Sequence, residues 1–455
     1  MKHLIEIARI VTKKKVKKIE IFDEQSLRQK NSKFNEFYEA VLSEKFQTDE
    51  EAAQFLYSCV STDDKYRQFK SRFKKRMLNT LFFLDINQPA YSNYNRAYYS
   101  CNRDWSLVKI LLSNQANETA SFLAKQILST ALKFKFADII VNCSRILREY
   151  YAVVDKADRE YEIYDNYCKQ YQNVQDAEIR SEELYQRVVM NYNKPVSKNN
   201  ELELKIDIYC EALEGLSEIY PSPIVHYNKY MVLACRYEML NDYENMLAIC
   251  NKAEIYIDQN PDFYRDDKLG EIALKKASAF LHMRSYGFES VGGKSRHDEL
   301  METLEKTDIW IELLEYHFLI AVHSTHYIDA SLLFHVATQD KRFPKVSELE
   351  REKWNTFEIY LYYFNLLDSC VLTEPVDVKA KKRKKFRLKK FLTDPILLPK
   401  SLRPLIITQI IAQVLFLIEK KNLDDAIEKV ERLKSYAYRQ LSKEEDNRTI
   451  QFIKP

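Results

Sequence analysis

Five glycines in 455 residues narrow what this chain can become more than any other feature. Average usage would supply roughly 30. Glycine provides the positive-φ positions of tight hairpins and the loops in which backbone approaches a phosphate. A chain so short of it is poorly equipped for a multi-hairpin β domain or a doubly wound α/β domain. Long helices joined by short polar turns remain, so the expected fold class is all-α. The length accommodates two or three domains or one continuous helical stack. An apolar fraction of 46% is enough for a sizeable core.

Helical periodicity recurs along nearly the whole chain. Between Lys65 and Leu84, residues Tyr66, Phe69, Phe73, Met77, Leu81 and Leu84 step by three or four and line one face. Thr48 and Glu51 have capping-box spacing at the start of TDEEAAQFLYS. The same reading places helices at 2–19, 31–45, 92–112, 116–133, 137–153, 157–192, 199–219, 223–239, 243–258, 266–283, 297–322, 326–338, 345–370, 402–420 and 424–441. Pro89, Pro195, Pro221, Pro223 and Pro261 punctuate the runs, and three of the glycines fall in SYGFESVGGKSRHDE, an expected loop. The organisation that follows is an N-terminal helical region with a basic helix (1–100), a helical-repeat body (101–370), a basic, proline-containing loop or insertion (371–403), and a C-terminal helix pair with a possible cap (404–455).

Two segments show helix–turn–helix spacing of about 34 residues. In the first, Tyr230, Leu233, Ala234 and Tyr237 precede the turn LNDYEN, and Met246, Cys250, Ala253 and Pro261 follow. In the second, Ile410, Val414 and Leu417 precede KKNLDD, and Ala426, Val430 and Leu433 follow. These units resemble tetratricopeptide repeats, with departures: Met246 stands where the family has a small residue, and Gln413 and Val414 replace its Leu-Gly. The resemblance implies stacked antiparallel helix pairs in an α-solenoid, with an irregular multi-helix bundle as the alternative. It also implies a concave protein-binding groove lined by first helices, here at Asn228, Met231, Cys235, Glu238 and Met239. In the second unit the equivalent Ile411, Leu415 and Ile418 read as buried, so no groove is assigned there. The whole chain is also similar to helical proteins of Bacteroidota bacteria, a resemblance that implies no particular activity.

Motifs for catalysis or cofactor binding fail on spacing. GGKS at 292–295 has the Lys-Ser of a phosphate loop, but the first glycine position is occupied by Phe288, and helix rather than strand precedes it. Ser295 as a helix N-cap with Asp298 and Glu299 in the first turn accounts for it better. His317, His323, His326 and His335 lack HExxH spacing and three convergent ligands. Eight cysteines show no CxxC, which suits free buried thiols in a reducing compartment. No catalytic residue, cofactor or metal is expected, and a composite enzyme site ranks last. The N-terminal stretch carries its charges after its apolar residues, unlike a secretory signal. The longest apolar segment, Leu405 to Ile418, is 14 residues long and holds Thr408, Gln409 and Gln413. The expected location is cytoplasmic.

Net charge is +3 but uneven. Residues 1–100 carry +6 and residues 379–403 carry +10, leaving −13 for the rest. KYRQFKSRFKKR (65–76) holds seven cations, and KAKKRKKFRLKK (379–390) holds nine without a carboxylate. Dense like charge either projects into solvent or meets a polyanion. The leading expectation is a non-enzymatic scaffold binding a protein or peptide in a helical groove. The rival is a protein that binds RNA or DNA through 65–76 and 379–390, with Lys381, Arg383, Lys384, Lys385 and Arg387 as the contacts.

Overall fold

The structure is a computed structural model. It describes residues 33–81, 93–192, 200–283, 301–364, 386–393 and 403–440, apart from single positions 44, 47, 265, 306 and 308. Every regular element among them is helical. The helices are α1 (Lys33–Leu42), α2 (Asp49–Tyr57), α3 (Asp64–Leu81), α4 (Asn93–Ser113), α5 (Asn117–Phe134), α6 (Ala137–Val153), α7 (Asp158–Tyr192), α8 (Asn200–Ile219), α9 (Pro223–Met239), α10 (Tyr243–Gln259), α11 (Asp266–Met283), α12 (Trp310–His323), α13 (Tyr327–Gln339), α14 (Glu348–Tyr363), α15 (Leu388–Thr393), α16 (Arg403–Glu419) and α17 (Leu423–Gln440). Two compact units divide within α7, Met1–Gln172 and Asn173–Pro455. The expected helices at 2–19 and the GGKS loop lie outside the described residues.

Local chemistry explains the boundaries. Thr48 and Glu51 form the anticipated capping box on α2, and Ser347 with Glu350 forms another on α14. Ser222 caps α9, with Pro223 in its first turn, and Asp242 caps α10. Each such cap satisfies amides that the helix start leaves orphaned, and contributes about 1 kcal/mol.

One turn recurs at five junctions: α4–α5, α5–α6, α9–α10, α12–α13 and α16–α17. At its centre Gln115, Lys135, Asn241, Thr325 and Lys421 adopt left-handed φ values of 61°, 55°, 56°, 63° and 57°. The next amide returns to the carbonyl five residues earlier: Ala116 to Leu111, Phe136 to Ala131, Asp242 to Tyr237, His326 to Ala321 and Asn422 to Leu417. This is a Schellman-type closure. A non-glycine residue in this conformation costs roughly 1–2 kcal/mol, offset here by closing backbone bonds and by the helix packing that follows. Four residues after each cap position stand Ala120, Ile140, Met246, Ala330 and Ala426, all buried at the helix crossing.

Cores are arranged in chain order. In the N-terminal unit, α1–α3 enclose an aromatic cluster in which Phe37 meets Phe73 edge-on at 4.9 Å and Phe46 at 5.4 Å. Tyr66, Phe69, Phe73 and Met77 are its buried stripe on α3, as their periodicity required. Helices α4–α6 and the first half of α7 share a second core around Val108, Ile140 and Leu147. In the C-terminal unit single helices serve two cores at once. From α9, Val232 and Cys235 enter one cluster with Leu184 and Leu213, while Met231 and Ala234 enter the next with Cys250 and Ala253. Ala279 and Ala277 divide α11 in the same way, and Ile359 and Trp354 divide α14. Among the described residues the most extensive contacts run between helices adjacent or next-but-one in the chain.

One expectation is corrected. The helix foreseen at 297–322 is broken, with 301–304 helical and α12 starting only at Trp310. Within the break, Arg342 Nη1 donates to the Thr307 carbonyl at 2.5 Å. Within 371–403, the segment read as a loop or insertion, the described residues include the short helix α15. Phe386 and Phe391 anchor that region against Tyr362 and Phe416.

Candidate interaction face

The C-terminal unit carries a strip of charged side chains crossing four helices. Glu238 closes α9. Lys275 and Ser278 lie one turn apart on α11, Glu312, Glu315 and Tyr316 share a face of α12, and Glu350 and Lys353 share one on α14. Lys275 Nζ meets Glu238 Oε2 at 2.5 Å, and Ser278 Oγ lies 3.5 Å from Glu238 Oε1. Lys353 Nζ meets Glu315 Oε1 at 2.8 Å. The four carboxylates outnumber the two ammonium groups.

Glu312 is exposed to solvent, yet surrounding protein, then Glu315 and Glu350, push its carboxyl above the ordinary range. Burial would depress Lys275, but Cys235 and Glu238 outweigh it and hold the ammonium above its usual value. Tyr316 is raised by burial first and by Glu312 and Glu238 after that. Glu312 is thus a carboxylate whose charge the fold leaves undercompensated, and a cation arriving there is favoured.

Of the groove positions assigned by resemblance, only Glu238 opens on this strip. Asn228, Met231 and Cys235 are buried, and Met239 is half-buried against the core formed with α7 and α8. The second half of α7 and α8 cover Asn228 and Cys235, and α10 and α11 cover Met231. PIVHYNKYMVLACRYEM carries apolar residues all round, the signature of a helix enclosed on every side. Lys275, Glu312, Glu315 and Lys353 were not singled out in the sequence, where isolated charges on amphipathic helices look alike.

The basic segments are placed in part. On α3, Lys65, Arg67, Arg72, Lys74 and Lys75 are exposed, whereas Lys70 is paired with Asp49 at 2.6 Å. Arg76 lies over Phe34. Arg387 is exposed, while Lys381, Arg383, Lys384 and Lys385 lie outside the described residues. His323 ends α12 and His326 precedes α13, flanking Thr325, while His317 and His335 are half-buried. Among the described residues no group of three or more His, Cys, Asp or Glu stands as a metal site. The described cysteines are free, all but Cys59 are buried, and burial pushes the Cys143 and Cys250 thiols up to about 12. No described helix is long and apolar enough to cross a membrane.

Comparison with protein-family models, curated proteins and solved structures returned no match. The class defined by fold and face is an all-helical protein of packed helix pairs.

Proposed function

We propose that this protein is a non-enzymatic scaffold or adaptor, a tetratricopeptide-like stack whose C-terminal unit holds a partner protein or peptide. The observation that carries the reading is the strip from Glu238 to Lys353, where four helices present charged groups side by side. Helices that belong to two cores at once, and recurring turns with a small residue at Ala120, Ala330 and Ala426, support a repeat-like stack. The surplus of carboxylates and the raised Glu312 favour a cationic side chain on the partner. The test is purification from native cells of the parent and of a Glu312→Lys/Glu315→Lys variant, both treated with nuclease. A protein retained by the parent and lost by the variant supports the reading. Equal retention by both removes the strip from it.

The exposed cations of α3 favour a second reading, contact with RNA or DNA through 65–76 and 379–390. Release of bound nucleic acid by nuclease in the same experiment is its signature.

A further inference from the structure

We infer that a cleft in the N-terminal unit is a site for a nucleotide-like ligand, a phosphate carried beside a flat ring. The cleft, of about 390 Å³, lies between α4, α6 and the start of α7, and its lining includes Trp105, Lys109, Arg145, Arg148, Glu149 and Tyr161. Pockets that take small ligands are of about this size, roughly 300–1,000 Å³. The inference shares no residue with the strip and is independent of the scaffold reading.

Helical spacing gathers the chemistry. Trp105 and Lys109 are one turn apart on α4, and Arg145, Arg148 and Glu149 follow one another along one side of α6. Three cations face one carboxylate, so the lining favours an anion. Arg148 is already fixed: Nη1 donates to Asp165 Oδ1 at 2.7 Å, and Lys169 Nζ holds the other oxygen of that carboxylate at 2.6 Å. A guanidinium has five N–H donors, so the Asp165 bond leaves donors for a ligand oxygen while removing much of the cost of ordering the side chain. Arg145 and Lys109 are exposed and have no ion-pair partner among the described residues.

The second element is aromatic. Trp105 is half-buried and packs on the unit's core, so its ring is held, and the Lys109 ammonium lies 4.8 Å from its centroid. Tyr161 stands in the first turn of α7. Cations beside a held indole, with a tyrosine in the same lining, match phosphate next to a nucleobase, the combination by which single-stranded nucleic acid and nucleotides are bound. An acidic peptide would use the cations and leave the rings idle.

Tryptophan fluorescence of the full chain tests this. Trp310 and Trp354 are buried in the other unit, so Trp105 is the indole placed to report the cleft. The probes are AMP, an eight-residue single-stranded RNA, sodium phosphate and polyglutamate. A saturable, salt-sensitive change with AMP or RNA is expected, and it should disappear in Trp105→Phe while calorimetry still registers binding. Arg145→Gln should weaken binding about tenfold, and Trp105→Ala about tenfold or more. AMP binding as tightly as RNA identifies a free nucleotide, and tighter RNA binding identifies a single strand. No saturable binding of either overturns the site. So does affinity unchanged in both Arg145→Gln and Lys109→Gln, exposed positions where folding is retained, or phosphate or polyglutamate binding as tightly as AMP and RNA.

Discussion

The Asn228 side-chain amide donates to the Ser181 hydroxyl at 2.9 Å, and both residues are sealed from solvent. Ser181 in turn donates to the Glu178 carbonyl at 2.8 Å, and Ser222 donates to the Glu178 carboxylate at 2.5 Å. This buried polar chain sets how α9 lies on α7, because any slip leaves groups unpaired. Asn228→Ala should therefore cost about 1–3 kcal/mol, seen as a lower urea midpoint with an unchanged slope. A midpoint equal to the parent's would mean that the interaction carries no stability.

Two glycines should respond oppositely to alanine. A Cβ on Gly270 would stand 2.0 Å from Ile309 Cδ1 and 3.0 Å from Leu304 Cδ2, so these side-chain ends must shift to admit it. Gly270→Ala should destabilise by about 1–3 kcal/mol through overpacking. Gly215 has nothing within 4 Å of the same position, and Gly215→Ala should gain about 0.5–1 kcal/mol from helix propensity. Thermal melts of the two variants should move in opposite directions.

Acid titration should separate Glu312 from Asp165. The folded pKa of Glu312 lies above its ordinary 4.5, so stability is lost as pH rises from there through the folded value. Glu312→Gln should melt above the parent at pH 7, with the difference closing toward pH 4. Asp165 is held below its ordinary 3.8 by Lys169 and Arg148, so its stabilisation is present above that value and is lost as pH falls through the folded one. Asp165→Asn should melt below the parent at pH 7 and converge with it in strong acid. Melts across this range that fail to show opposite signs would refute both assignments.

Removing exposed cations should leave the fold intact. Replacing Lys65, Arg72, Lys74 and Lys75 by Gln should alter stability by less than about 0.5 kcal/mol for each substitution, since the apolar face of α3 holds it in place. In the nucleic-acid reading, a second variant with Lys381, Arg383, Lys384, Lys385 and Arg387 changed to Gln should lose the most affinity. Its salt dependence should flatten by about 0.7–0.9 in logarithmic slope for each phosphate it no longer neutralises. Titrations of labelled RNA at two salt concentrations decide, and an unchanged slope retires the segment.

Much of the fold was legible because apolar stripes and caps are local signals. Tyr66, Phe69, Phe73 and Met77 announced both the helix and its buried face, and α9 and α11 have the expected boundaries. The left-handed positions of the helix turns gave no sequence signal, because the residues that take them are not glycines. Asn241 and Lys421 take left-handed φ because closing hydrogen bonds and helix burial compensate, and those are tertiary effects. The break before Trp310 is bonded by Arg342, which is far away in sequence. The strip was illegible for the same reason, since Glu238 and Lys275, or Glu315 and Lys353, become neighbours only once the helices stack.

Packing concentrated, among the described residues, between neighbouring helices also bears on how the chain is made. A helix pair closed by the Asn241 turn has its main partners within the few dozen residues on either side. Its apolar face can be covered soon after synthesis, without waiting for a distant strand or domain. Nascent chains stalled at successive lengths should thus become protease-resistant in steps, one helix pair at a time, rather than all at once on release from the ribosome.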